Sequence, residues 1–197
     1  MDVKRSYAAG RRELTKAQNR ETILAAAAQV FAQLGFARTT VRDIIRATSL
    51  ASGTFYNYFN SKEEVYQALR DAQALAVRPR LHQARVSAVS AEEFFTGSFR
   101  AFFGFVAKNH TEAAPASERF RMDSPQVQAG FAELRQDIEA AMARGLLPAI
   151  DAGLLTAALT GVAFELAEKV KAGANVEEMT RFATALFLGG TGALSKF

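Results

Sequence analysis

The sequence predicts an all-α protein. Three observations carry this: apolar residues recur with helical spacing almost throughout, no stretch keeps a strand's strict alternation, and Ser, Thr, Asp and Gly stand where helices start and stop. With 197 residues, 49% hydrophobic and 22% charged, the chain can bury one sizeable core or two small ones. Thirteen glycines and four prolines are too few for a low-complexity or collagen-like chain, and the apolar fraction is too high for disorder.

A first helix is expected from about Lys16 to Leu34. Thr15 and Gln18 have capping-box spacing, Ile23, Ala27, Val30, Phe31 and Leu34 share a face, and Gly35 ends it. A second helix, barely two turns long, fits Val41 to Ala47 behind Thr40 as N-cap, with Ile44 and Ile45 inside. After Thr48-Ser49-Leu50 comes a third short helix within Ala51 to Phe59, whose Leu50, Phe55 and Phe59 face inward. Ser61 then caps a fourth, with Glu64 at the reciprocal position. Two short helices joined by three residues suggest a helix-turn-helix, and a generic three-helix subdomain is the alternative.

Charge divides the chain in the same place. Residues 1–62 carry ten lysines and arginines against four acids, a formal +6, while residues 63–197 carry fourteen against sixteen, a formal −2. Basicity confined to one end suggests a polyanionic partner for that end, although a solvated surface is also consistent with it. We therefore expect a nucleic-acid-binding unit at 1–62 and a second unit at 63–197.

The segments Phe31-Ala-Gln-Leu-Gly-Phe36, Thr39-Thr40-Val41-Arg42-Asp43-Ile44-Ile45, Gly53-Thr54-Phe55-Tyr56-Asn57-Tyr58-Phe59 and Ser61-Lys62-Glu63-Glu64-Val65, in this order and spacing, resemble the TetR family of one-component bacterial transcriptional regulators. The resemblance covers about Gln18 to Leu69, roughly a quarter of the chain. It implies a third helix lying in the major groove while its flanks grip phosphates. The DNA-contact residues expected are Thr40, Arg42, Ser52, Gly53, Thr54, Tyr56, Tyr58 and Lys62. Ser52, Gly53 and Thr54 offer hydroxyls and an unobstructed backbone near base edges. Tyr56 and Tyr58 point about 200° apart on a helix, so one of them must face outward. In the resembled family a tyrosine at the position of Tyr56 and a lysine at that of Lys62 reach phosphates. Arg42 is either a base or phosphate contact or a solvated arginine, and Thr40 is at least as well explained as a cap. The sequence departs from the family pattern at Ser49, where glycine is usual and a positive φ would carry a cost, and at Ala51 and Ser52, where serine and lysine are usual. The basic residues Lys4, Arg5, Arg11 and Arg12 form either a supplementary DNA-reaching arm or a disordered tail.

Beyond Lys62 we expect longer helices near 62–87, 91–109, 126–145, 151–171 and 175–190, the first kinked or ended by Pro79. Residues 94–105 hold six phenylalanines, more than one helix face accommodates. Core packing explains most such stripes, but large aromatics also wall cavities. Since the resembled family binds an effector in this domain, the candidate lining is Phe95, Phe99, Phe102, Phe103, His110, Arg121, Phe131 and Glu165, with Arg119 as a further polar group. Glu165 interrupts an apolar run and needs a partner, water or an exposed face. Small residues in the last two helices (Ala157, Ala158, Gly161, Ala167; Ala183, Ala185, Gly189) beside Phe182, Leu186 and Phe187 suit close helix packing, either within the chain or as the family's homodimer seam near 151–171 and 175–190. A dimer of this kind implies a palindromic operator with half-sites about 34–36 Å apart or a multiple.

Other classes fare worse. The chain has no cysteine, which excludes disulfides and thiolate chemistry and suits a reducing compartment. Its pairs Glu63-Glu64, Glu92-Glu93 and Glu177-Glu178 each open a helix, where acids meet the positive dipole end, so they need no catalytic explanation. His82 and His110 lack metal spacing, and Gly189-Gly190-Thr191-Gly192 lacks a phosphate-loop lysine. No enzyme, metal or cofactor is expected. The charge-free run Ala152 to Phe164 is thirteen residues, short of the roughly 20 of a membrane span, and the N-terminus has no apolar signal core, so a cytoplasmic location is expected. The functional expectation is a DNA-binding regulator, a repressor released by a small hydrophobic or aromatic effector. The rival is a DNA-binding protein controlled without a small molecule, which a closed core around Phe95, Phe99 and Phe103 would favour.

Overall fold

A computed structural model describes residues 3–109 and 124–194, with side chains from 13–109 and 124–190. Eight α-helices follow one another among these residues: α1 (Val3–Leu34), α2 (Val41–Arg46), α3 (Ser52–Tyr56), α4 (Lys62–Val86), α5 (Ala91–Asn109), α6 (Pro125–Ala143), α7 (Ala152–Lys171) and α8 (Val176–Leu194). They form two compact units, one reaching Arg70 and the other starting at Asp71.

Helix α1 starts thirteen residues earlier than the expected Lys16. The capping-box spacing of Thr15 and Gln18 is overridden because the preceding residues include no proline and several good helix formers, so nothing stops the helix before Val3. At its other end Gly35 takes φ 73°, the left-handed conformation glycine allows, and its amide bonds the Phe31 carbonyl at 2.9 Å. No non-glycine residue among those described has positive φ, so Ser49 bears none of the strain the family pattern implied.

The first unit closes over Ile23, Leu24, Ala27, Phe31, Phe36, Ile44, Phe55, Phe59 and Val65. Val65 and the adjoining Tyr66, Ala68 and Leu69 come from the first turns of α4, so these turns are part of the small core. Caps fix the short helices. Thr40 and Asp43 exchange hydrogen bonds at the start of α2, while Ser61 Oγ accepts the Glu64 amide and the Glu64 carboxylate accepts the Asn60 amide at 2.8 Å. The reciprocal half of the α4 box thus lands one residue earlier than expected.

Helix α4 neither ends nor breaks at Pro79 but continues to Val86. Pro79 and Leu75, the residue whose carbonyl loses its donor, are both exposed, which puts the missing hydrogen bond on a solvated face. In the second unit α5 packs against α7 and α8, and α6 against α7. Phe94, Phe95, Phe99, Phe103, Ile138, Leu155, Leu159 and Phe187 lie at the centre of that core.

The α4–α6 contact is polar instead. Arg78 Nε donates to Glu133 at 2.9 Å, His82 Nδ1 lies 2.9 Å from Asp137, and Arg85 Nε donates to Asp137 at 2.7 Å. The Arg144 guanidinium, just past α6, donates to the carbonyls of Arg85, Val86 and Ala88 at the end of α4. Arg85 and Asp137 are only 4% and 6% exposed, so each depends on the other for compensation of its charge.

Candidate functional site

In the first unit the eight expected contact residues separate by what their polar atoms already do. Thr40 is exposed, but its hydroxyl donates to Asp43 Oδ2 at 2.6 Å and accepts the Asp43 amide, so it works as a cap. Those bonds from Thr40, helped by Arg46 and Arg42, hold the Asp43 carboxyl below its ordinary pKa. Glu64 is held low likewise by its bonds from the Asn60 amide and side chain.

Arg42 stands exposed on α2 with Arg46 one turn further along the same face. Among the described residues neither guanidinium makes a hydrogen bond or an ion pair. Arg46 is not among the expected contacts, although its i+4 relation to Arg42 is a signal in the sequence that could have found it. On α3, Ser52 and Gly53 are exposed and Thr54 is half-buried. A Cβ built on Gly53 would meet nothing within 4 Å, so no neighbour inside the protein requires glycine there. The tyrosines part as their spacing demands: Tyr56 is 56% exposed, whereas Tyr58 packs on the small core and its hydroxyl accepts the Asn19 amide at 3.4 Å. Tyr58 is therefore a packing residue, and Tyr56 is the one that reaches out.

Lys62, expected as a phosphate grip, is engaged inside the protein. Its Nζ lies 2.8 Å from the Phe36 carbonyl, 3.3 Å from Ala37 and 2.8 Å from Thr39, and 4.5 Å above the Phe36 ring. An ammonium has three hydrogens, and all three are spent on the turn after α1. Arg38 is committed in the same region, its Nε donating to the Leu34 carbonyl at 2.8 Å.

Residues 23–69, which hold this constellation, match the family described as bacterial regulatory proteins, tetR family. This stretch carries the DNA-binding domain of the TetR family. It is 34% identical over 120 residues to the HTH-type transcriptional repressor KstR2 of Mycolicibacterium smegmatis, covering 60% of this chain and 58% of that repressor. The alignment thus spans little more than half of that relative's length. The fatty acid degradation regulator FadR of Bacillus halodurans shares the fold at TM-score 0.67 and 21% identity, over 87% of this chain and 95% of that one. So does FadR of Bacillus subtilis in complex with stearoyl-CoA, at TM-score 0.69 and 17% identity, over 86% and 98% of the two chains.

In the second unit the aromatic residues also separate. Phe95, Phe99 and Phe103 are buried to 2% exposure or less, with Phe99 stacked on Phe103 at 5.7 Å and Phe187 against both Phe95 and Phe99. A ring facing a cavity that admits water would show accessible surface, so these three are packing residues and not cavity lining. Phe102 and Phe131 are half-buried and both meet the edge of Phe164, at 5.6 and 6.2 Å. Phe164 was not singled out in the sequence because it sits in an apolar run, and its role appears only once α5, α6 and α7 converge on it.

Glu165, next to it, points to an exposed face of α7 and away from the core. Its stripe continues through Leu154, Ala157, Ala158 and Gly161, all exposed, and α8 adds exposed Phe182, Ala185, Leu186 and Gly189. Ala167, Ala183 and Phe187, expected in the same seam, are buried within this chain instead. His110, Arg119 and Arg121 lie outside the described residues. Among the described residues no group of three metal-binding side chains assembles and no helix is long and apolar enough to cross a membrane.

Proposed function

We propose that this chain is a ligand-responsive repressor that binds palindromic operator DNA as a homodimer and is released by a small apolar or aromatic effector. The observation that carries the DNA reading is a set of exposed residues whose side chains hold no hydrogen bond or ion pair among the described residues, Arg42, Arg46, Ser52, Gly53 and Tyr56, above a core that α1 to α4 complete. Arginine can bind guanine through paired hydrogen bonds or hold phosphate, and a glycine at the second position of α3 lets the backbone come close to the groove. The expected contacts are accordingly Arg42, Arg46, Ser52, Gly53, Thr54 and Tyr56.

Dimerisation is supported by the exposed stripe of α7 and α8. Leu154 is 73% and Phe182 58% exposed, and small residues beside them allow close helix approach. A two-fold dimer presents two copies of α3 to successive major grooves. The effector reading is supported by the half-buried ring cluster of Phe102, Phe131 and Phe164, which offers aromatic surface to an apolar ligand. The stearoyl-CoA held by a protein of similar fold is an apolar-chain ligand of the kind this cluster suits. Effector binding then favours a conformation whose recognition helices no longer match the operator, a coupling of about 1–3 kcal/mol.

A second reading keeps the DNA function and drops the small molecule. The closed packing of Phe95, Phe99 and Phe103 favours it, because rings exposed to 2% or less leave almost no accessible surface among them. Fluorescence anisotropy on duplex DNA from upstream of the chain's own coding region, with Arg42→Ala and Tyr56→Ala alongside, tests the shared part. Specific binding that weakens in both variants supports the regulator. Binding that is weak, sequence-independent and indifferent to both substitutions refutes it. Release of that DNA by stearoyl-CoA or a simple phenol, lost in Phe164→Asp, separates the first reading from the second.

A further inference from the structure

Lys62 opens α4, where the helix dipole presents its positive end and a cation is at an electrostatic disadvantage. The adjacent Glu63 and Glu64 suit that end; Lys62 does not. What offsets this is the convergence of the Phe36, Ala37 and Thr39 carbonyls on its Nζ, with the face of Phe36 beneath. The turn's own bonds come from Thr39: its hydroxyl goes to the Gly35 carbonyl, and its amide is shared between the Gly35 and Phe36 carbonyls at 3.2 and 3.3 Å. Phe36 also packs on Phe31 at 5.4 Å and Tyr66 at 4.9 Å, so the turn is held both by the lysine and by the ring. The residue after Thr39 is Thr40, the cap of α2, and α2 carries Arg42 and Arg46.

We propose that Lys62 is a positioning residue for DNA binding: by fixing the turn between α1 and α2 it sets where the arginines of α2 stand, and it makes no phosphate contact of its own. This rests on the DNA-binding reading above. It differs from a phosphate grip in two measurable ways. A phosphate-bound lysine contributes to the salt dependence of binding, about one unit of slope, and its loss weakens specific and non-specific DNA alike. It also tolerates arginine, which binds phosphate at least as well. A lysine whose three hydrogens fan onto three carbonyls does not, because the planar guanidinium cannot converge on one point.

The test is a salt titration of binding by the full chain, for wild type, Lys62→Met and Lys62→Arg, on operator and on unrelated duplex. Both variants should lose operator affinity on the order of tenfold, as when a charge-assisted hydrogen-bond set is broken, with the salt slope and the affinity for unrelated duplex unchanged. A slope reduced by about one unit in Lys62→Met, with Lys62→Arg restored to wild type, would overturn the proposal. Hydrogen exchange without DNA keeps the claim open to test even if wild type binds no operator. The amides of Thr39 and Thr40 should exchange at least about tenfold faster in Lys62→Met while the α5 amides keep their protection. Unchanged exchange at Thr39 and Thr40 contradicts the positioning role whatever the DNA result.

Discussion

The two units place their charges in opposite ways. In the first, arginines stand outside on α2 without an ion pair among the described residues, and the polar side chains between helices cap backbone. In the second, the charges between α4 and α6 face one another, and Arg85 and Asp137 are nearly buried. The contrast teaches that a basic residue's function is read from what its hydrogens already hold. Lys62 and Arg42 look alike in the sequence, yet one is spent on carbonyls and the other is available to a ligand.

Removing half of the buried pair gives the largest expected effect. Asp137→Ala strands the nearly buried Arg85 and should cost about 3–5 kcal/mol in thermal or denaturant unfolding. If unfolding is unchanged, the polar seam contributes nothing and the contrast between the units collapses. Next, Phe99→Leu in the closed core should cost about 1.5 kcal/mol without changing effector response. A variant that alters effector affinity while keeping stability would instead make Phe99 a lining residue.

Three smaller effects sharpen the first unit's side of the comparison. Arg42→Ala should leave the unfolding midpoint in place and reduce the salt slope of operator binding by about one. Gly53→Ala should gain about 0.5–1 kcal/mol of stability, since alanine suits a helix better and its Cβ meets nothing, yet weaken operator binding. Loss of stability there would mean that the protein itself, and not the groove, requires the glycine. The last is pH. Asp43 and Glu64 have pKa values lowered from 3.8 and 4.5, so their stabilisation is fully present above those values and is lost as pH falls through the lower folded-state values. Circular dichroism should therefore show the first unit insensitive to pH from neutrality to about 5, with loss only below about 4.

Local signals made most of the fold legible. The α5 range Ala91–Asn109, the Thr40 cap and the stop at Gly35 follow from residues within one or two turns of one another. The start of α1 did not, because a capping-box spacing is a weak signal inside a run of helix formers. Sites were harder to read. Which of Phe95, Phe99, Phe102 and Phe103 reach solvent depends on α7 and α8, and which of Ala157, Ala167 and Ala183 face outward depends on the helices behind them. Arg85 and Asp137 are 52 residues apart, so their pairing left no local trace. The contacts of Lys62 left no local trace for the same reason: its partners lie 23 to 26 residues upstream, and only the fold brings three carbonyls to one ammonium.

The measurement that tests the regulator reading most directly is selection of binding sites by the full chain from a library of random duplexes, which needs no guess about where the operator lies. The account predicts enrichment of one two-fold symmetric motif, with half-site centres about one helical turn or a multiple apart. Retention of duplexes by charge alone, with no motif enriched and binding abolished by moderate salt, would contradict it.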